Sequence, residues 1–536
     1  MSFDYEIYLD VDRDGKFTNG LGDISQYVIS CSWGHGLSNP WDSIAAAAGM
    51  SIIINNAGGE FGLTDPDATY YGKLTHGSLI RVRVSYNGIT TQLTALKIKD
   101  IQYLPDASQS NGIEHQLQIT CEDIVGKFLS QEFNPELKFD VRADEALTEI
   151  FEQAEYIYPY DGSWFYIGTS EIGGSDIIYD YAAENHINFE EGYTVLPYSG
   201  DNLDRGTGAK IQSYIRDLMK AEFAGIFFWD VRNEQFKFFH RHHNRVAQKS
   251  PYIERTSSHT FYMEDIVNAQ PVYGEGLANK ITVNYYPRKV GTPDSVIAES
   301  NATPFAIAAQ DSVNIKLRFR DPDNPDASVG GMDVFIPERG LDIIGNSAED
   351  GTGYDWTEFV ETGVVTLSAE EIEIRFFVRK VGDPVFITTF QVRGTPLISY
   401  QRESIEVLDT ESRRLYDKVT RSPDNGRLIA DAFTAQQYAN HLIGLHRTPD
   451  LFYRSITLIP KTPAITEQIQ TREIGDIITI HDSHDDNTNY MIVGERHDIN
   501  LETALHMATW TLRPVKYGNL FLIGTSEIGG PDILLA

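Results

Sequence analysis

Apolar and polar residues alternate with period two along most of the chain, and each alternating run ends in a cluster of Gly, Asn, Asp or Pro. That is the pattern of half-buried strands separated by turns. LIRVRVSY (79–86) is the clearest case, with Ile80, Val82 and Val84 on one face and Arg81 and Arg83 on the other. YEIYLDV near the start, SIIIN (51–55), TALKIKDIQYL (94–104) and EHQLQITCEDI (114–124) continue the series. Residues 1–130 are therefore predicted to form a β-barrel or sandwich.

The period changes over residues 131–264. ADEALTEIFEQAE (143–155) places Leu147, Ile150, Phe151 and Ala154 at helical spacing, and AKIQSYIRDLMKAEFA (209–224) does the same with Ile211, Ile215, Leu218 and Met219. GIFFWDV and QFKFFHR then flank Arg232-Asn233-Glu234, a hairpin signal, so this stretch is predicted to be a small α+β domain. Strand patterning resumes at NKITVNYYP (279–287). Residues 291–395 carry alternating runs at VNIKLRFRD, EIEIRFFVRK and VFITTFQVRG and are read as an inserted β-sandwich. After it come SIEVLD, a helix at TAQQYANHLIGLHR (434–447) with Thr434 as N-cap, and four strands, LFYRSITLIP, GDIITIHD, NYMIVGERHDI and MATWTLRPV. Residues 265–290 and 396–515 are accordingly read as a second barrel interrupted by the sandwich. The expected class is mainly β with an α+β part. Residues 516–536 form a C-terminal extension. It holds GTSEIGGPDI (524–533), which repeats GTSEIGGSDI (168–177) with one change, Ser175 to Pro531. Two copies make no solenoid; a duplicated β-turn element and a docking motif are the two readings.

Composition narrows the functions. A length of 536 residues, at roughly 150 per domain, suggests three to four domains. Forty-four basic against 77 acidic residues give a net charge of −33, which argues against holding DNA by its phosphates. With 41% hydrophobic and 23% charged residues, general disorder is excluded. Cys31 and Cys121 both lie in strand-like runs and are read as buried free thiols rather than a scaffold. The start, MSFDYEIYLD, has no secretory pattern, and no apolar run nears the ~18 residues of a spanning helix. The chain is expected to be soluble and made in a cytoplasm, with no membrane-spanning segment.

Candidate chemistry is sparse. Asp10, Asp12 and Asp14, with Gly15 and the Lys16 carbonyl, reproduce the opening of a calcium loop. The closing bidentate Glu is missing, since Leu21 stands there, and Asp23 could serve only with another loop geometry. A polar hairpin turn is the competing reading. Histidines gather at His240, His242 and His243 and at His481, His484 and His497, without metalloprotease spacing, and are read as solvated loop residues. No nucleophile elbow, Walker loop or dinucleotide fingerprint occurs, so the chain is expected not to be an enzyme and to hold no cofactor besides calcium.

One segment carries a resemblance. In SIIINNAGGEFGLTDPDATYYGKLTHGSLIRVRVSY, the residues Asn55, Asn56, Gly59 and Phe61, then Tyr70, Tyr71, Gly72, Leu74 and Gly77, then Arg81, Val82 and Arg83, resemble the opening of phage minor tail proteins of the baseplate-hub or tail-tip class. DVDRDGKFTNGLGDISQYVISCSWGHG is similar to the first hairpin of that family. Further similar stretches are LMKAEFAGIFFWDVRNEQFKFFHRHHN, ANKITVNYYPR, ITTFQVRGTPL, and the closing series Thr448-Pro449, Ile474-Gly475-Asp476, Ile492-Val493-Gly494-Glu495 and His497. The resemblance implies two tail-tube-like β-barrel domains, one α+β domain and an inserted β-sandwich. It implies a virion tail location and a homotrimer whose six barrels match a sixfold tube to a threefold tip. The implied partners are a tail-tube or distal tail protein, a tape-measure protein and other tip or fibre proteins, with DNA only in transit. A negatively charged lumen would repel passing DNA, in line with the charge. Two other functions stay open: a receptor- or glycan-binding tip protein recognising through the insert, and a cell-wall or polysaccharide hydrolase using some of the carboxylates.

Overall fold

The computed structural model describes residues 3–515 apart from 14–16, 18, 40, 105–115, 124, 134, 154, 158–163, 167–186, 201–208, 224, 234, 241–242, 244–258, 301–303, 424–426 and 482–486. The GTSEIGG repeat lies outside the described residues in both copies.

Twelve strands pair into one sheet and are numbered in chain order. The first six are β1 (Asp4–Leu9), β2 (Val28–Gly36), β3 (Gly49–Asn55), β4 (Leu79–Tyr86), β5 (Ile89–Leu104) and β6 (Gln116–Glu122). The last six are β7 (Thr260–Tyr262), β8 (Ile266–Tyr273), β9 (Leu451–Leu458), β10 (Ile477–His481), β11 (Asn487–Asn500) and β12 (Leu505–Pro514). The alternation read in the sequence is realised: in β4, Ile80, Val82 and Val84 are fully buried and the intervening arginines are not.

The two sets of six share one strand order. The first runs β1-β4-β5-β6-β3-β2 and the last runs β7-β10-β11-β12-β9-β8, the same sequence with six added to each number. Only the outermost pair differs in sense, β1 being antiparallel to β4 and β7 parallel to β10. The likeness extends to single hydrogen bonds. Gly77 N donates to Ile98 O at 2.8 Å and Ile98 N to Ser78 O at 2.8 Å; Gly475 N donates to Ile492 O at 2.8 Å and Ile492 N to Asp476 O at 2.9 Å. Both glycines hold positive φ, 83° and 100°, a conformation only glycine adopts at little cost. Two pairs of bulges match as well, while the slip of β4–β5 between Val82 and Arg83 and a second slip of β8–β9 between Gln270 and Pro271 have no counterpart in the other unit. The β2–β3 register slips between Val28 and Ser30, and the β8–β9 register slips between Ile266 and Asn268. The β5–β6 register slips between Ile98 and Asp100, and the β11–β12 register between Ile492 and Gly494. A bulge inserts one unpaired residue and bends the strand, so shared bulges mean shared curvature. The chain is thus a tandem of two equivalent β units.

The middle of the chain packs α2 (Ala143–Gln153) and α3 (Ile211–Ala221), after the short α1 (Val125–Leu129), against a hairpin of Ile226–Asp230 and Gln235–Phe239. Phe151, Phe227 and Phe236 cluster between them and belong to the same buried core as both β units. Residues 297–398 have their own apolar core, including Phe319, Phe376 and Phe390. Within the stretch expected to form the second barrel, Lys280–Tyr285, Glu403–Leu408 and Thr420–Arg421 make a separate three-stranded sheet. Helix α4 (Thr410–Tyr416) precedes α5 (Ala432–His446), whose N-cap is Asp431, not Thr434: Asp431 Oδ1 accepts from Thr434 N at 2.8 Å. Helix α6 (Pro463–Thr471) links β9 to β10. Among the described residues no helix is long and apolar enough to cross a membrane.

Candidate assembly seam

The two β units meet where β2 pairs antiparallel with β11, from Ser30 opposite Asn500 to Gly36 opposite Gly494. Their backbones come close at the end of that ladder: a Cβ on Gly36 would lie 2.7 Å from Gly494 Cα, and one on Gly494 would lie 2.3 Å from Leu37 O. Alternation sends Trp33, His35, Glu495 and His497 to one face and Ser32, Gly34, Arg496 and Asp498 to the other.

The first face holds a buried charge cluster. Glu495 and Arg232 are both under 10% exposed. Arg232 Nε and Nη2 donate to Glu495 Oε1 at 3.1 and 3.0 Å, Nη2 donates to Oε2 at 2.8 Å, and Nη1 donates to Gln470 O at 2.9 Å. Gln470, on α6, donates from Nε2 to Ile89 O at the start of β5 at 2.7 Å. Arg232 sits in the tight turn of the middle hairpin, where Asp230 Oδ1 accepts from its backbone N at 2.9 Å and Lys237 pairs with Asp230 at 2.5 Å. One guanidinium therefore fastens the middle region to the second β unit, and α6 carries the tie to the first. Burial alone would raise the Glu495 carboxyl, but the Arg232 guanidinium beside it outweighs burial and holds it well below the usual carboxylate range. His35 Nδ1 lies 3.6 Å and His497 Nε2 3.5 Å from the carboxylate. His497 stacks on Trp33 with centroids 4.7 Å apart and shares a 2.8 Å hydrogen bond with His506. Burial pushes His35 down and His506 well down, so both rings are neutral at pH 7.

The other face is small and polar. Ser32, Ser51, Thr120, Ser455, Thr509 and Thr511, together with Met50 and Arg454, line a shallow cavity of about 560 Å³ that spans the seam. Arg496 meets Asp498 there in a two-pronged pair at 3.0 and 2.9 Å, so its charge is compensated.

Residues singled out in the sequence fall elsewhere or behave differently. Asp10 is buried and Asp12 accepts from Asn19 Nδ2 at 2.9 Å, while Asp14 and Lys16 lie outside the described residues. Among the described residues no group of three or more His, Cys, Asp or Glu side chains could hold a metal. Of the histidines read as solvated, His240 and His243 are each about 6% exposed and pair with Glu190 at 3.5 and 2.6 Å, and His497 is wholly buried. Neighbouring carboxylates and apolar packing, not loop position, decide their setting. His242 and His484 lie outside the described residues. Arg81 stacks its guanidinium over Phe17 at 4.2 Å, within its own chain. Cys31 and Cys121 are buried free thiols. The Arg232–Glu495 pair had no local signal, its partners being 263 residues apart.

No family model and no curated protein matches the sequence. Among solved structures the chain is similar to a tail protein from Neisseria meningitidis MC58, at 7% identity and a TM-score of 0.44, covering 96% of this chain and 97% of that one. It is similar also to the 43 kDa tail protein of prophage MuSo2 from Shewanella oneidensis, at 9% identity and a TM-score of 0.45, covering 95% and 98%. Prophage tail protein gp18 from Listeria monocytogenes EGD-e aligns at 10% identity and a TM-score of 0.38, covering 95% and 94%.

Proposed function

We propose that this protein is a non-enzymatic structural hub of a phage tail tip or baseplate, in which three copies form a ring. The carrying observation is the tandem of two β units with one strand order and matching bulges. Two equivalent units per chain give six around a threefold axis, the count needed to meet a sixfold tube. The tube or distal tail protein would dock on that ring, and tape measure and DNA would pass through it. The hydroxyl-bearing face of the seam suits a channel wall, because among the described residues its two arginines are both paired, Arg496 with Asp498 and Arg454 with Glu275, and so offer DNA phosphates little free positive charge. A particle map tests this reading: three copies at the end of the tube are expected, and six or twelve copies, or a fibre outside the tube, would refute it.

A second reading rests on the separate core of residues 297–398, which exposes Tyr354, Ile336 and Phe335 to solvent. The insert would then recognise a receptor or glycan, and host-cell binding by the chain should disappear when the insert is removed. Asp10, Asp12, Asp14 and Lys16 are proposed to hold calcium in either case. Added calcium should raise the melting temperature and a chelator lower it; an indifferent melt reduces the loop to a turn.

A further inference from the structure

The seam inside each chain has a counterpart that the single chain leaves open. Strand β2 pairs with β11 only from Gly494 onward, just past the bulge where β10 has stopped pairing with β11 at Met491. In the first unit, β4 likewise stops pairing with β5 at Lys97, the bulge follows, and β5 continues to Leu104. Among the described residues that last stretch, Asp100–Leu104, has β6 as its one strand neighbour. The N–H of Ile101 turns back to its neighbour, donating to Asp100 Oδ1 at 3.0 Å. Among the same described residues strand β8, the counterpart of β2, has β9 alone beside it, and Tyr273 on it is 72% exposed. Each chain thus presents one half of a seam at either end of its tandem.

Resting on the ring reading above, we infer that copies join by repeating the internal seam: residues 270–274, along β8 and its following Gly274, pair antiparallel with residues 100–104 of β5 in the next copy. The two matched bulges fix the register; the further slip of β8–β9 between Gln270 and Pro271 skips Arg454 on β9 and leaves the count along β8 unchanged. Val28, Ser30 and Gly36 of the first unit correspond to Ile266, Asn268 and Gly274 of the second. Gly36 and Gly274 also share positive φ, 86° and 69°. Ile492 and Gly494 correspond to Ile98 and Asp100. Transferring the internal pairs sets Gln270 opposite Leu104, Pro271 opposite Tyr103, Val272 opposite Gln102, Tyr273 opposite Ile101 and Gly274 opposite Asp100. The chemistry carries over where Trp33 stacks on His497, since Pro271 would lie on the Tyr103 ring. It changes where the buried charge sits, since Tyr273 against Ile101 is an uncharged contact. Leu37 N donates to Val493 O and Leu501 N to Ile29 O, which places the odd-numbered residues of β2 in the hydrogen-bonded pairs. Pro271 therefore stands at a ladder position and withholds one donor. A proline there also blunts the edge in a lone chain against indiscriminate pairing. The contact between copies is head-to-tail, so it closes a ring or grows a filament according to its rotation. With no counterpart of the Arg232–Glu495 pair, it should come apart without unfolding the chains.

Cysteine pairing on the full chain tests this. Val272 and Gln102 fall at a non-hydrogen-bonded position, where Cα atoms lie about 4.5 Å apart, within disulfide reach. Mild oxidation of Val272→Cys/Gln102→Cys should give covalent dimers and trimers, while each single variant and the register-shifted Gln270→Cys/Gln102→Cys should give neither. Circular dichroism and melting of each variant verify that the fold is kept. As a second measure, Tyr273→Glu should raise the concentration at which copies dissociate by about tenfold, with the chain's own melting unchanged. Trimers that form without the Val272–Gln102 cross-link overturn the pairing and leave the ring reading intact. Covalent ladders running well past three support the pairing and overturn the ring. A full chain that neither associates nor cross-links overturns the pairing, and the particle map still judges the ring.

Discussion

At the scale of single residues, the seam concentrates its stability in groups that the sequence scatters. Removing one member of a buried ion pair leaves the other without compensation, at about 3–5 kcal/mol. Arg232→Ala should therefore destabilise the protein by that amount in denaturant melts, and Arg232→Met with Glu495→Met should recover most of the loss. The histidines add a pH dependence of definite sign. His35 and His506 resist protonation when folded, but the unfolded chain takes up their protons near pH 6.5. Their contribution is therefore complete above that pH and is lost as pH falls below it. Glu495, held below its ordinary 4.5, adds a further loss in stronger acid. Asp123 works the other way, because burial raises its carboxyl to about 7 and stability tied to its protonated form fades as pH rises through that value. Comparing wild type with His35→Gln/His506→Gln isolates the seam: between pH 7.5 and 5.5 the variant's urea midpoint should fall less. Reading these groups from the sequence failed for a physical reason. A histidine's setting depends on what packs over it: Glu190 reaches His240 and His243, Glu495 reaches His35, and Trp33 reaches His497 only through tertiary contacts.

At the scale of elements, local patterning was the reliable guide. Period-two runs gave β4 to the residue, β6 within two residues and the end of β5, whose start at Ile89 precedes the run read from Thr94, and helical spacing gave α2 and α3, because burial of one face is written in adjacent positions. Boundaries were less legible. Thr434 has the chemistry of an N-cap, yet Asp431 has the extended backbone, φ −137° and ψ 157°, and its carboxylate accepts both the N–H and the hydroxyl of Thr434. Asp431→Ala should cost about 1 kcal/mol and Thr434→Ala less, measured by thermal melting. The duplication was illegible at this level. The units share only short echoes, such as Ser51-Ile52-Ile53-Ile54 beside Ser455-Ile456-Thr457-Leu458, and what they hold in common is the place of bulges and turn glycines. Geometry of that kind tolerates many side chains.

At the scale of the whole molecule, the tandem and the inserted region should be separable. The neck between them is narrow: Arg288–Val290 pairs with Leu397–Ser399, and Gly291 N donates to Pro396 O at 2.8 Å. Beyond it, residues 297–398 keep a core distinct from that of the β units. One tie to the rest is the bond from Ala369 N to Pro135 O at 2.8 Å. Replacing residues 292–395 by an Asn-Gly turn would close the neck as a hairpin. The cost is the uncovering of Leu397, which is fully buried in the intact chain, and a leucine side chain accounts for about 1.5–3 kcal/mol of burial. A loss of that size lowers the melting temperature by roughly 10 °C at most in a chain of this length. The shortened protein should therefore unfold in one cooperative transition. Since neither β5 nor β8 is touched, the Val272→Cys/Gln102→Cys pair placed in it should still cross-link as it does in the full chain. Loss of the cooperative transition would show that the insert is part of the tandem's core rather than an appendage to it.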